Sequence, residues 1–410
     1  MNGFSTKAVH GVIAKRDAHG ALRPPLYDSV AFDFESSRDL ELAFAGKKPV
    51  HAYSRITNPT VEELEQRMRL LSGAFGVIAV SSGMAAITNT VLALAQSGDN
   101  IVASRHLFSH TISLFEQTLG RWGLETRFAD MTSLESVEKN IDERTSMIFL
   151  EVISNPQLEV ADIQHICAIA SAKKVPVVVD GTLTTPYLFN TKEAGVAIEV
   201  LSATKYISGG ATAVGGLIID NGVFDWTQHS TLKDAAHVAG KGALMLRLRG
   251  EVYRNSGACL APHNAWLYLL GLETLALRIH KSCENALAIA RFLETAPRVR
   301  SVNYPGLERS PWHAVARAQF KRGFGGLLTF ELGDKAACFA FMDRLKLIRK
   351  ATNLNDNKSL IIHPASTIFA QFTAEQRARM GISDGLIRLS AGIEDTEDII
   401  DDIRQALEAI

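Results

Sequence analysis

Four short apolar runs, Val77 to Val80, Asn100 to Ala103, Ser146 to Leu150 and Val175 to Val179, alternate with segments of helical character, and this alternation limits the available folds more than any other feature. Each run is rich in β-branched residues and too short for a core helix, as expected of strands buried on both faces. Ala168 to Lys174 closes a helix between the last two runs, so the pattern predicts a mostly parallel α/β sheet. Upstream, Asn58 suits a helix cap and Pro59 its first position, with Val61, Leu64, Met68 and Leu71 recurring at helical spacing. Beyond Asp220 the pattern loosens as far as about Gly250, and a new helix carrying Trp266, Leu267, Leu270 and Leu275 begins near Asn264. Later strands are expected at Gly326 to Leu332 and Leu386 to Ser390, with a closing helix from about Thr396. A chain of 410 residues exceeds what one core usually serves. It divides into an arm over 1–57, which contains Pro24-Pro25 and Lys47-Lys48-Pro49, a large sheet domain over 58–250, and a smaller C-terminal α/β domain over 251–410.

Composition narrows the partners. A net charge of -1 with 21% charged residues leaves no basic footprint for nucleic acid. The four cysteines, Cys167, Cys259, Cys283 and Cys338, lack CxxC spacing, which argues against a zinc site, a disulfide framework and any other metal role. Met1 to Lys7 lacks the apolar region of an export signal, and no apolar run is long enough to cross a bilayer. A cytoplasmic protein acting on small molecules is the expectation.

Candidate chemistry gathers at the ends of the expected strands. Lys205 ends the run Ser202-Ala203-Thr204-Lys205 within apolar surroundings, and a partly buried lysine loses its proton more easily, as Schiff-base chemistry requires. Taken alone, a lysine after hydroxyl residues is usually a solvated surface residue. Ser82, Gly83 and Met84 follow a strand and open an apolar helix, where free backbone N–H groups suit a phosphate, although many such turns are only tight connections. Asp180 ends the Val177 to Val179 strand, at the sheet edge where α/β folds bind ligands; it would either cap the next loop or hold a pyridinium nitrogen protonated.

Tyr53 to Thr60, Ser81 to Met84, Glu151 to Pro156, Val179 to Tyr187, Ser202 to Lys205 and His363 to Ser366, in this order and spacing, closely resemble the Cys/Met-metabolism family of pyridoxal-phosphate enzymes over almost the whole chain. The resemblance implies fold type I and a homotetramer built as a dimer of dimers. It makes Lys205 the Schiff-base lysine and Cα base, Asp180 the pyridinium partner, and Gly83, Met84, Ser202 and Thr204 the phosphate cup. Tyr53 and Arg55 resemble the pair that reaches a neighbouring subunit's phosphate, with Tyr53 also near substrate. Asn155 matches the asparagine at the cofactor's 3-oxygen or the substrate carboxylate, and Arg388 the arginine that grips that carboxylate, with Asn353 on the substrate-side loop.

Several positions depart from the common pattern. Phe108 stands where many relatives carry a tyrosine over the cofactor ring, so stacking is kept and the hydroxyl lost. His110, either a proton carrier or a backbone partner, lies where some lyases have cysteine. Gly181 replaces an asparagine, and Asn355 and Phe369 alter the substrate-side loop. With Phe108, the segments Asn353 to Leu360 and Gly215 to Trp226 lean toward an O-acetylhomoserine sulfhydrylase: an O-acylated homoserine and a sulfur donor (sulfide, a thiol or a thiocarboxylated carrier protein) giving homocysteine. A methionine or cystathionine γ-lyase, or an enzyme using the O-succinyl ester, is the alternative.

Overall fold

The chain enters its first long helix at the expected place. Asn58 is extended, its Oδ1 accepts the backbone N–H groups of Thr60 and Val61, and Pro59 occupies the first helical turn. A computed structural model describes residues 3–11 and 17–410; residues 1, 2 and 12–16 of the expected arm lie outside the described residues. Within the arm two short helices form, α1 (Phe4–His10) and α2 (Ser37–Phe44), each too short to leave a readable periodicity. α1 packs against α3 (Pro59–Ser72), where Arg67 donates to the carbonyls of Ala8 and Val9. Much of the remaining arm, including Leu22, Val30, Phe44 and Tyr53, is exposed.

The large sheet has seven strands: β1 (Gly76–Val80), β2 (Asn100–Ser104), β3 (Glu125–Ala129), β4 (Thr145–Glu151), β5 (Val177–Asp180), β6 (Ile198–Ser202) and β7 (Gly216–Asp220). Their order is β1-β7-β6-β5-β4-β2-β3, and only β7 runs against its neighbours. This is the mostly parallel sheet that the alternation predicts. β3 escapes the sequence reading because it is an edge strand whose first four residues are not buried. Apolar side chains cover both faces: Ile78, Phe149, Val178 and Val200 on one, Ala79, Val179, Leu201 and Leu217 on the other.

A second sheet of five strands, β8 (Ser301–Asn303), β9 (Leu327–Glu331), β10 (Arg349–Lys350), β11 (Leu360–Ile362) and β12 (Leu386–Ser390), has the order β10-β11-β12-β9-β8. It shares a separate core with the helices Leu275–Thr295, Lys335–Arg344 and Thr396–Glu408. The helix Pro262–Glu273, expected to open the C-terminal domain, instead packs against α3 and contributes Ala265, Leu269 and Leu272 to the core under the large sheet. The loosely patterned stretch before it folds as short helices between Lys233 and Ser256, with Leu244, Leu248 and Tyr253 buried.

Candidate functional site

The carboxyl ends of β1, β4, β5 and β6 converge on one edge of the large sheet, the edge at which parallel α/β folds bind ligands. β1 runs into α4 (Gly83–Leu94), whose cap is Ser82: its Oγ accepts the N–H of Ala85 at 3.0 Å. The first helical N–H groups have no partner inside the helix and carry the positive end of its dipole, so an anion is stabilised there. Glycine is required for the approach. A Cβ at Gly83 would lie 2.8 Å from Ser202 Cβ, and one at Gly216 would lie 2.9 Å from Gly83 N. The helix start is thus pressed against the ends of β6 and β7. Thr204 closes the cup, its hydroxyl accepting the N–H of Gly215 at 3.1 Å, and Thr182 Oγ1 ties β5 to β6 by accepting Ser202 N–H at 2.8 Å.

Asp180 stands opposite Glu151 in the parallel register of β4 and β5, which puts both carboxyls on the same face. Glu151 holds two flanking segments: it accepts the backbone N–H of Phe108 at 2.5 Å and that of Asn155 at 2.9 Å. Burial, then the charge of Asp180, raises the Glu151 carboxyl well above the usual range. Burial also raises Asp180, which accepts the N–H of Thr182 at 2.9 Å but is paired with no lysine, arginine or histidine among the described residues. Asp180 therefore caps its loop and still lacks a cation.

Lys205 follows β6 and is half-buried. Its Nζ donates to Asn353 Oδ1 at 2.6 Å. Burial, with the charge of Arg388 adding to it and that of Asp356 opposing, lowers the amine to about 8. Arg388, at the centre of β12, is buried in full. It donates to Asn155 Oδ1 at 3.1 Å and to the carbonyl of Asn353 at 3.0 Å, while its Nε has no partner among the described residues. A buried guanidinium with neutral partners only is set up to receive an anion. The chain Glu151, Asn155, Arg388, Asn353, Lys205 is continuous in hydrogen bonds and joins the two sheets.

Phe108 is half-buried just before the helix α5 (Ser109–Ser113), with its ring centroid 4.9 Å from that of the exposed His110. Tyr53 and Arg55 belong elsewhere: both are exposed, the guanidinium lies over the tyrosine ring, and Arg55 donates to the carbonyl of Arg254 at 2.8 Å. Glu151 had no role assigned from sequence, yet its position at a strand end, one register step from Asp180, was the signal that could have marked it. Among the described residues no cluster of His, Cys, Asp and Glu could hold a metal, and no helix is long and apolar enough to cross a membrane.

An anion cradle too tight for side chains, a carboxyl without a cation and a half-buried amine near its deprotonation point match the phosphate, ring nitrogen and aldehyde of pyridoxal phosphate. Comparison with known proteins agrees. The family model described as Cys/Met metabolism PLP-dependent enzyme matches residues 5–408. A solved structure assigned as an O-acetylhomoserine (thiol)-lyase from Campylobacter jejuni is similar with a TM-score of 0.93 at 37% identity, covering 99% of this chain and 100% of that one; it carries a pyridoxyl-lysine monophosphate. The structure of an O-acetylhomoserine sulfhydrylase from Wolinella succinogenes, described with a mechanism of sulfur transfer, is 49% identical with a TM-score of 0.79, covering 86% of this chain and 99% of that one. An L-methionine γ-lyase from Pseudomonas putida is 38% identical over 100% of this chain and 98% of its own length.

Proposed function

Because this chain belongs to the Cys/Met metabolism PLP-dependent enzyme family, we propose that it catalyses γ-replacement on an O-acylated homoserine, O-acetylhomoserine first among them, with a sulfur nucleophile to give homocysteine. When bound, pyridoxal phosphate would supply an electron sink that acidifies the C–H bond on the substrate's amine-bearing carbon and then those on the adjacent carbon. In this reading Gly83, Met84, Ser202 and Thr204 hold its phosphate, Asp180 its ring nitrogen and Asn155 its 3-oxygen, with Phe108 stacked on the ring.

Lys205 is the covalent anchor and, once displaced by the substrate amine, the base that takes the Cα proton. An amine at about 8 is partly unprotonated at neutral pH, so it both accepts and returns protons. Asn353 Oδ1 holds Nζ, and the same residue's backbone carbonyl holds Arg388, so base and carboxylate clamp are set by one residue. Arg388 offers its unpartnered Nε–H edge to the substrate carboxylate. Loss of a second proton, from Cβ, lets acetate leave Cγ with the C–O electron pair; hydrosulfide then adds at Cγ and protons return to Cβ and Cα to complete the exchange.

The observation that carries the choice of leaving group is Phe108. It supplies a ring without a hydroxyl, and an acetate leaves with little protonation, whereas the thiolate of methionine or cystathionine needs an acid. Purified enzyme given O-acetylhomoserine and sulfide should release homocysteine and acetate in equal amounts. Formation of 2-oxobutyrate alone would refute the reading and favour the γ-lyase that the full-length similarity to the Pseudomonas putida enzyme supports. The exposed Tyr53 and Arg55, and the exposed apolar side chains of the arm, support a homotetramer in which these two residues complete a neighbour's phosphate site.

A further inference from the structure

β6 carries one charged residue, Glu199, the second of the strand, and it is fully buried. In the register of β5 and β6 it lies beside Val179, whereas Asp180 lies beside Val200, so Glu199 and Asp180 point to opposite faces of the sheet. Glu199 Oε2 accepts the hydroxyl of Thr191 at 2.7 Å, and Thr191 in turn accepts Asn221 Nδ2 at 3.1 Å. Glu199 Oε1 has no hydrogen-bond partner among the described residues. A carboxyl buried with an unsatisfied oxygen in an apolar strand is costly, and nothing about strand packing calls for it.

What Oε1 occupies is the space beside Gly181. A Cβ there would lie 3.0 Å from Glu199 Cδ and would overlap Oε1 outright, so Glu199 fills the space of the side chain that Gly181 lacks. Gly181 is the hinge of the turn that aims Asp180. Its N–H donates to Val200 O at 3.0 Å, its carbonyl accepts the N–H groups of Thr184 and Thr185 at 3.0 and 2.7 Å, and the next residue, Thr182, donates to Asp180 Oδ1. The glycine after the aspartate, unexplained as a departure in sequence, is therefore the complement of a buried glutamate on the neighbouring strand.

We infer that Glu199 is a positioning residue: its carboxyl, seated against Gly181, fixes the turn that holds Asp180 at the ring nitrogen of the cofactor. Burial, opposed by the Thr191 hydroxyl and reinforced by the charge of Asp180, raises Glu199 to about 8, so its neutral form predominates at pH 7 and its main contribution is shape.

The inference rests on Asp180 meeting the ring nitrogen, and the test separates the two. Wild type, Glu199→Gln, Glu199→Ala, Gly181→Ala and the double variant Glu199→Ala/Gly181→Ala are stripped of cofactor and retitrated with pyridoxal phosphate, and the 15N resonance of ring-labelled cofactor is recorded. Glu199→Gln keeps the shape and should bind as wild type. Glu199→Ala and Gly181→Ala should each weaken binding about tenfold or more and move the resonance toward the unprotonated ring. The double variant, in which the new methyl group occupies vacated space, should recover most of both losses and also serves if either single variant fails to fold. Binding and resonance unchanged in Glu199→Ala, or a double variant no better than the singles, would overturn the positioning role. An unprotonated ring in the wild type would instead overturn the role given to Asp180.

Discussion

Replacing Arg388 with methionine tests both halves of the site at once. The guanidinium has five N–H donors, of which the bonds to Asn155 Oδ1 and Asn353 O engage two, leaving Nε–H and further N–H groups for a carboxylate. Methionine keeps the packing of the apolar stem while every donor is lost. A charge-assisted hydrogen bond contributes about 1.5–3 kcal/mol, and losing a two-point contact should cost about 3 kcal/mol at the lower end. That is about two orders of magnitude in kcat/KM for O-acetylhomoserine, carried mainly by KM because the contact is present before the chemistry begins. A second effect has its own sign. The charge of Arg388 is one cause of the lowered Lys205 amine, so its removal should raise that amine above about 8, leaving less free amine at neutral pH. The rate of pyridoxal phosphate uptake by cofactor-free protein, followed against pH, should then show its midpoint displaced upward in Arg388→Met. A KM within twofold of wild type would refute the carboxylate clamp, and an unmoved midpoint would refute the electrostatic link to Lys205.

Lys205→Ala should abolish turnover and the covalent attachment detected by mass after borohydride reduction, while the cofactor-free protein melts within a few degrees of wild type; ordinary activity in this variant would end the proposed mechanism. Phe108→Tyr restores a proton donor above the ring, and general acids contribute about 10²–10⁴-fold. The ratio of 2-oxobutyrate from methionine to homocysteine from O-acetylhomoserine should therefore rise at least about tenfold, and an unchanged ratio would remove Phe108 from the choice of leaving group. Glu199, raised from 4.5 to about 8, binds a proton in the folded state that the unfolded chain has released, so its contribution to stability is present below pH 4.5 and falls as pH rises to about 8. Urea unfolding of cofactor-free Glu199→Gln across that window should give a shallower pH slope than wild type; a parallel slope would show that Glu199 is not the titrating group.

Much of this was legible along the chain. The strand end that carries Asp180 follows from a β-branched run closed by a polar residue, and the helix start at Gly83 from a serine and glycine after such a run. These are local signals, written within a few residues. Glu151 was not legible in the same way, because its role depends on lying opposite Asp180, 29 positions further along the chain and beyond a helix. Nor was the packing of the Pro262–Glu273 helix against α3, since an apolar helix does not state which core will accept it.

The sequence by itself determined the alternating α/β architecture and the family, because backbone periodicity and motif order are properties of the chain read in one dimension. Only the tertiary structure decided that Asn353 joins Lys205 to Arg388, that Glu151 steadies Phe108 and Asn155, and that Gly181 is glycine because Glu199 fills the space beside it. Those relations exist only when strands far apart in sequence are laid in register, where exclusion of water and contact at van der Waals distance make one residue's identity depend on another's.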